Sequence, residues 1–438
     1  MNITISKIKD KINSSDIARR MASGAIWTFT GTALAKLIVL VAGILCARIL
    51  GKELYGEFGM VRSTINMFVV LGSAGLGMTA TKYISEYRKD QKSRIASIYL
   101  LTNRFALITG FLVSILIIAF ADKIAINTLD SPQLVIPFKF GAILLFFTVL
   151  LAAQNGVLYG LEDFKSVAIN AFIGSVFETV FMLVGAYYYG VIGAVIGFGC
   201  GFIAQFVANK FSIQRSFKRE GVNIAQGGFN VGDFKLLYKF SLPAMLSSVI
   251  VAPIFWVIRT MLVNSSGYGD LAIYEAVDQW NIIMLAIPSL LSQVLLPILS
   301  SIEKQKKKNY WKVLKINILT NFGITTIIAV IVIIVRDKIM LSYGDDFFNT
   351  APLVIISISA IFASVSKVVG VAISSSGKMW YGFCFNFIWG IVLIMLCDSF
   401  LKKGLGVNGL AYALLISYIV HTIIQLIFLN LQKIKNND

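Results

Sequence analysis

Long apolar stretches separated by short polar connections constrain this 438-residue chain more than any other feature. Examples are residues 105–120, 186–211 and 324–335. Hydrophobic residues make up 57% of the chain and charged residues only 14%, whereas soluble domains are about one-quarter charged. Too few polar side chains remain to cover a water-soluble fold, so the chain is predicted to be a membrane protein.

The apolar stretches predict an all-α fold with about 12 transmembrane helices. Each stretch is long enough for a helix to cross about 30 Å of hydrocarbon, some of them with tilt. The predicted spans are residues 23–47, 54–80, 95–120, 134–158, 167–189, 191–211, 240–264, 272–300, 313–335, 347–373, 380–400 and 409–430.

The longest polar connection divides these spans into two lobes of six helices, a recurring plan of transporters. The expected segments are a basic N-terminal segment at 1–22, an N-lobe at 23–211, a connecting segment at 212–239, a C-lobe at 240–430 and a tail at 431–438. A weak internal repeat supports this division. An offset of 216 residues places Gly51 on Gly267 and Arg62 on Asp278.

Lysine and arginine are distributed unevenly between the two sets of alternate loops. About 25 of the 39 basic residues fall on the side that includes the N-terminus, against about seven on the other. Because cytoplasmic loops are enriched in Lys and Arg, both termini are predicted to be cytoplasmic. The net charge of +17 is therefore interpreted as membrane topology rather than as a sign of nucleic-acid binding.

Several basic residues lie within the predicted spans, where a charge costs about 2.5–3.5 kcal/mol at the bilayer centre. Such residues usually face a cavity or a partner. The candidate substrate-binding residues of a cationic cavity are Lys36, Arg62, Arg104, Lys139, Arg259 and Lys367. Lys36 shares a helix face with Thr32, and Arg62 shares one with Asn66, which predicts polar cavity walls.

Excess buried positive charge favours a multiply charged anion such as phosphate or pyrophosphate, which Arg and Lys bind well. Two alternatives remain open. Lys139, Arg259 and Lys367 are near enough to span ends for their long side chains to reach the interface. For Lys36, Arg62 and Arg104 the alternative is ion pairing with Glu178 or Asp278.

The acidic residues Glu178, Glu275 and Asp278 are candidates for proton or cation coupling. For Glu275 and Asp278, ion pairing with Arg62 or Arg259 is the preferred interpretation. The sequence shows no catalytic or metal-ligand pattern: it has one His, four scattered Cys and no Gly-rich phosphate loop. We therefore expect a non-enzymatic protein without a metal or another cofactor.

Two segments resemble Wzx-type polysaccharide-biosynthesis flippases of the MOP superfamily. Residues 23–51, followed by Tyr55-Gly56-Glu57-Phe58, are similar to the first two helices of that family. The segment from Gln154 to Lys165, which contains Gly160-Leu161-Glu162-Asp163-Phe164, is similar to the end of its fourth helix.

The resemblance implies a MATE-like fold and a flippase. Such proteins move undecaprenyl-pyrophosphate-linked oligosaccharide repeat units from the cytoplasmic to the outer leaflet of the bacterial inner membrane. They work by alternating access in the assembly of surface polysaccharides such as the O-antigen of lipopolysaccharide. The implied partners are the lipid-linked oligosaccharide, membrane lipids, and polysaccharide polymerase and chain-length proteins.

Two other functions compete with this one. A MATE-like cation or drug antiporter would need an acidic cavity, which the excess of basic residues in the spans disfavours. A membrane polysaccharide polymerase or ligase usually needs a sizeable external loop, and the predicted external loops are short.

Overall fold

The computed structural model describes residues 16–73, 75–88, 91–228, 249–301, 307–376 and 378–435, and these residues form helices and short connections. The helices are α1 (Asp16–Leu50), α2 (Lys52–Ser73), α3 (Leu76–Tyr87), α4 (Lys92–Asp122), α5 (Val135–Gly160), α6 (Phe164–Glu220), α7 (Val251–Met284), α8 (Ala286–Ser301), α9 (Lys307–Ile334), α10 (Arg336–Tyr343), α11 (Ala351–Ser375), α12 (Met379–Lys402) and α13 (Gly406–Lys435).

Eight of the described spans are long and apolar enough to cross a membrane, and nine if the bent pair α2–α3 counts as one span. The 57-residue helix α6 turns sharply at Gly190, so its two arms correspond to two of the predicted spans. The prediction of an all-helical, polytopic membrane protein is confirmed. Part of the seventh predicted span, at 240–248, lies outside the described residues.

The helices pack into two bundles. In the first bundle, which comprises α1 to α6, α6 packs against α1 and α5, and α5 packs against α4. In the second bundle, which comprises α7 to α13, α11 packs against α9 and α13, and α12 packs against α13. The bundles meet chiefly where α2 of the first packs along α7 of the second.

Glycines turn the chain at corresponding places in the two bundles. Gly51 has a φ of 78° and Gly267, which lies 216 residues later, has a φ of 80°. Gly190 and Gly406 are separated by the same offset, with φ values of 58° and 51°. Positive φ strains any residue with a Cβ atom. The internal repeat therefore extends from sequence to backbone conformation.

These turns define two ends of the molecule. The end that holds Gly51, Gly190, Gly267 and Gly406 is called the Gly51 end. The opposite end holds the connection between α5 and α6 and is called the Glu162 end.

The motif around Glu162 ties helix ends together at the Glu162 end. Asp163 caps α6 by accepting a hydrogen bond from the backbone N of Ser166 at 3.2 Å, and it also accepts one from Ser216 Oγ at 2.5 Å. Arg88 pairs with Glu162 at 2.8 Å and with Glu220 at 2.9 Å. These contacts join the ends of α3, α5 and α6, so this motif stabilises the first bundle.

Candidate functional site: a cavity between the two bundles

A cavity of about 1170 Å³ lies between the two bundles. Its walls come from α1, α2 and α6 of the first bundle and from α7 and α13 of the second. The cavity extends from a layer that contains Arg62 and Glu275 toward the Glu162 end, as far as Gly75 and Ala171. Both bundles thus contribute to one space, and a change in their relative position changes its shape.

The charged side chains of the cavity wall are balanced among the described residues, which corrects the expectation of a clear cationic excess. Three basic and three acidic residues line the space: Lys36, Arg62, Arg259, Glu178, Glu275 and Asp278. The sequence identified all six, but counting charges in the spans did not reveal how they pair.

Four of these residues form an ion-pair network, here called the arginine layer. Arg62 Nη2 lies 2.6 Å from Glu275 Oε2, and Arg259 Nε lies 2.6 Å from Glu275 Oε1. Arg259 Nη2 also lies 2.9 Å from Asp278 Oδ2. The turn at Gly267 makes this possible, because it folds the two arms of α7 against each other. The structure therefore shows the ion-pairing alternative for Glu275 and Asp278.

Burial makes the arginine layer a structural element as well as a cavity wall. Only 2% of the Glu275 side chain is exposed, and it sits between two guanidinium groups from different bundles. Arg259 also lies 4.8 Å from the ring centroid of Tyr274. Removing one partner of a buried ion pair typically costs about 3–5 kcal/mol, because the other charge is left uncompensated.

Lys36 and Lys367, here called the lysine pair, have a different environment. Lys36 lies in the cavity wall on α1. Lys367 lies on α11, outside the described wall, and the two positive charges are within electrostatic range of each other. Lys367 Nζ donates a hydrogen bond to Ser289 Oγ at 2.7 Å. Within the described part of the chain, neither lysine forms an ion pair with a carboxylate. One cation from each bundle is thus available for an anion.

Three of the predicted cationic residues are absent from the described cavity wall, and Lys367 is one of them. Arg104 is exposed on α4, and Lys139 on α5 pairs with Asp122 at 3.3 Å. Neither α4 nor α5 contributes to the described cavity wall. Depth along a helix does not fix which neighbour a side chain faces, so the described cavity offers no support for placing these two residues in it. Lys139 instead matches the alternative of a side chain near a span end.

The predicted polar wall is described in part. Asn66 lines the cavity one turn from Arg62 on α2. The side chain of Thr32 lies outside the described residues.

Sequence reasoning missed the residues that close the cavity toward the Gly51 end. Gln279 Nε2 donates a hydrogen bond to Tyr55 Oη at 2.7 Å, and Tyr343 Oη donates one to Gln279 Oε1 at 3.0 Å. Gln279 follows the candidate residue Asp278 directly in the sequence, and this position could have identified it. Its hydrogen bond to Tyr55 could not be predicted, because the two residues are 224 positions apart.

Further contacts between the bundles lie at the Gly51 end. Arg48 Nε donates to the carbonyl oxygen of Ser342 at 2.6 Å, and Tyr268 Oη donates to Ser131 Oγ at 2.8 Å. Small residues let the backbones approach: a Cβ atom on Gly59 would lie 2.5 Å from Cγ of Glu275. The bundles are therefore closely joined at this end.

Three comparisons relate the chain to known proteins. The family model described as "Polysaccharide biosynthesis protein" matches residues 21–303. The chain is similar to the EPS I polysaccharide export inner membrane protein EpsE of Ralstonia nicotianae (strain ATCC BAA-1114 / GMI1000). The two proteins are 22% identical over 308 aligned residues, and this alignment covers 68% of each chain.

Solved structures share the fold. An inward-facing multidrug-resistance MATE transporter of the MOP superfamily superposes with a TM-score of 0.81 at 14% identity, covering 94% of this chain and 99% of that one. A MOP superfamily transporter from Pyrococcus furiosus Vc1 (DSM3638), described as having a binding pocket of reversed polarity, gives a TM-score of 0.74 at 14% identity and covers 96% of each chain. The chain therefore belongs to the polysaccharide biosynthesis protein family and has the MATE-like fold of the MOP superfamily.

Proposed function

We propose that this protein is a flippase for undecaprenyl-pyrophosphate-linked oligosaccharide repeat units. It moves them from the cytoplasmic to the outer leaflet of a bacterial inner membrane for surface polysaccharide assembly. Family membership supports this proposal, as does the likeness to EpsE, whose name describes polysaccharide export and an inner-membrane location.

The proposed topology is twelve spans in two six-helix lobes with cytoplasmic termini. The uneven distribution of Lys and Arg supports this orientation, which makes the Glu162 end cytoplasmic. The cavity then extends toward the cytoplasm and is closed on the outer side by the contacts at the Gly51 end. Alternating access follows as the proposed mechanism: opening the Gly51 end would expose the same cavity to the outer side.

The lysine pair carries the proposal of an anionic substrate. Two like charges from different bundles repel each other, and this repulsion is strong where the surroundings are poorly hydrated. A pyrophosphate between Lys36 and Lys367 would replace the repulsion with two charge-assisted contacts. It would also connect the bundles, because one lysine belongs to each.

The size of the cavity supports a substrate larger than pyrophosphate alone. Sites for small ligands typically measure about 300–1,000 Å³, and the cavity is about 1170 Å³. The polar side chains of Ser63, Asn66 and Gln205 in its wall offer hydrogen bonds to sugar hydroxyls. In this proposal the lipid chain stays in the bilayer while the headgroup crosses.

A transport measurement tests the role of the lysine pair. The protein is reconstituted in vesicles with a fluorescent lipid-pyrophosphate oligosaccharide, and the accessibility of the headgroup from each side is followed over time. We expect Lys36→Ala and Lys367→Ala to slow transfer at least tenfold. Lys139→Ala is the matched control, because this lysine lies outside the cavity, and it should transfer at the native rate. Equal rates in all four proteins would refute the assignment.

The balanced cavity wall favours one second candidate, a cation or drug antiporter. Three carboxylates line the space, and Glu178 forms no ion pair with any residue of the described segments. An antiporter should transport an organic cation in the same vesicles when the gradient of a second cation drives it. Cation transport that persists in Lys36→Ala, together with absent lipid transfer, would favour the antiporter.

A further inference from the structure

Glu178 is the acidic residue of the cavity wall that the arginine layer leaves out. It lies on the first arm of α6, where Gly201 of the second arm provides the space: a Cβ atom on Gly201 would lie 2.5 Å from Cβ of Glu178. In the described part of the chain, its carboxylate has no hydrogen bond and no ion pair. Burying a carboxylate without a partner is costly, so Glu178 is available to a cation that reaches it in another state.

The candidate partner is Arg62. It lines the same cavity from the same bundle, and its charge acts on that of Glu178 at a distance longer than an ion pair. Arg62 and Glu178 belong to the first bundle, whereas Glu275, which holds Arg62 at 2.6 Å, belongs to the second. Arg62 thus lies between two carboxylates, one on each side of the interface between the bundles.

Separation of the bundles at the Gly51 end affects these three residues differently. Glu275 keeps Arg259 as a partner, because both lie on α7 and move together. Arg62 loses its ion pair and would be left as an unpaired guanidinium in the wall of a membrane protein. Glu178 stays in the same bundle as Arg62, because α2 and α6 move together.

We propose that Glu178 is the alternative partner of Arg62: when the Gly51 end opens, Arg62 exchanges Glu275 for Glu178. The exchange requires the long Arg62 side chain to swing toward its own bundle. Every arginine of the layer then has a carboxylate in both states. Glu178 is a positioning residue, which acts on transport through Arg62 and contributes to the stability of the open state.

This inference rests on the alternating access of the proposed function, and distance measurements test it without substrate. Spin labels are placed at exposed positions of the Gly51 end, on Tyr189→Cys of the first bundle and Phe348→Cys of the second. The four native cysteines are replaced by alanine. Pulsed electron–electron double resonance in lipid nanodiscs then gives the fractions of molecules with a short and with a long distance between the two spin labels.

The two carboxylates should act in opposite directions. We expect Glu178→Gln to lower the ratio of long to short distances at least fivefold, because Arg62 loses its partner in the open state. Glu275→Gln should raise that ratio at least fivefold, because the closed state loses the contact between the bundles. Glu178→Asp keeps the charge and should restore part of the long-distance fraction. Asp398→Asn, in an exposed pair with Lys402, is the control and should leave the ratio unchanged.

The outcomes separate this inference from the proposed function. An unchanged ratio in Glu178→Gln, or a shift in the same direction as Glu275→Gln, would overturn the exchange alone. A single short distance in the native protein, with and without lipid pyrophosphate, would overturn alternating access and the exchange with it. Normal distance changes without lipid transfer would overturn the proposed substrate and leave the exchange intact.

Discussion

In the deep layer of the cavity, Arg62 and Arg259 share the carboxylates of Glu275 and Asp278. Nearer the Glu162 end, Lys36 and Lys367 are within electrostatic range of each other, and no described carboxylate pairs with either. Each region places two cations from different bundles, on α2 and α7 in the first and on α1 and α11 in the second. The first is neutralised by the protein itself and holds the bundles together. The second keeps its charge for something that the protein does not supply.

The contrast between the arginine layer and the lysine pair shows that the number of basic residues in membrane spans does not give the charge of a cavity. What matters is whether a carboxylate lies at the right height on a neighbouring helix. Arginine, with several donors in a planar fork, suits a shared and buried network. Lysine, with a compact charge on a flexible stem, suits a group that binds and releases a ligand.

The largest expected effect is on the arginine layer. Glu275→Ala leaves Arg62 without its carboxylate and should destabilise the protein by about 3–5 kcal/mol, as expected for a buried pair that loses one partner. Thermal unfolding in detergent measures the change. Asp398→Ala, which removes an exposed pair with Lys402, is the control and should cost no more than about 1 kcal/mol. Similar losses in the two variants would contradict the distinction between the layer and the surface.

The lysine pair should respond in ligand binding rather than in stability. Lys36→Ala and Lys367→Ala should each weaken binding of inorganic pyrophosphate by about 1.5–3 kcal/mol, the typical contribution of a hydrogen bond to a charged group. Unfolding temperatures should stay the same or rise, because a repulsion is removed. Calorimetric titration measures the affinity. A lysine variant that loses stability but keeps its affinity would show that the pair is structural.

Close approach of the bundles should matter for the arginine layer. Gly59→Ala brings a methyl group against Cγ of Glu275 and should destabilise the closed Gly51 end by about 1–3 kcal/mol, as overpacking does. Gly323→Ala is the matched control, because a Cβ atom there meets nothing within 4 Å and improves helix propensity. Unfolding in detergent and the distances between spin labels measure both effects. Equal stability of the two variants would show that the contact at Gly59 is not tight.

The smallest effect is expected outside both regions. Lys139→Ala removes a pair with Asp122 in which both side chains are about half exposed, and such pairs contribute about 0–1 kcal/mol. Pyrophosphate affinity should not change. A loss of affinity comparable to that of Lys36→Ala would return Lys139 to the site.

The fold could be predicted largely from the sequence, because its determinants are local. Apolar stretches of membrane length identify the helices, and glycines such as Gly51 and Gly267 mark where the chain reverses. The depth of a charge along a span is also local, and it led to Lys36, Arg62 and Arg104, of which the first two line the cavity.

The ion pairing of Glu275 and Asp278 with Arg62 or Arg259 was expected from the sequence, and the structure shows it. The other contacts of the site could not be predicted, because they depend on how helices from distant parts of the chain are placed against one another. Arg104 has a depth similar to that of Arg62, yet it lies on a helix that does not reach the cavity. The contact between Gln279 and Tyr55 depends on the relative height of α2 and α7. The proximity of Lys36 to Lys367 depends on two helices in different bundles.

The two halves of the chain carry different residues at one pair of equivalent positions where they pack against each other. The 216-residue offset that relates Gly51 to Gly267 also relates Gly59 to Glu275, and these two residues pack against each other. They therefore meet where the two halves face each other, as the two subunits of a symmetric dimer do at its two-fold axis. Two copies of the first half would bring glycine against glycine and leave a hole, and two copies of the second would force two glutamates together. A single polypeptide that contains both halves can carry glycine at this position in one half and glutamate in the other. The space left by Gly59 then holds the side chain of Glu275.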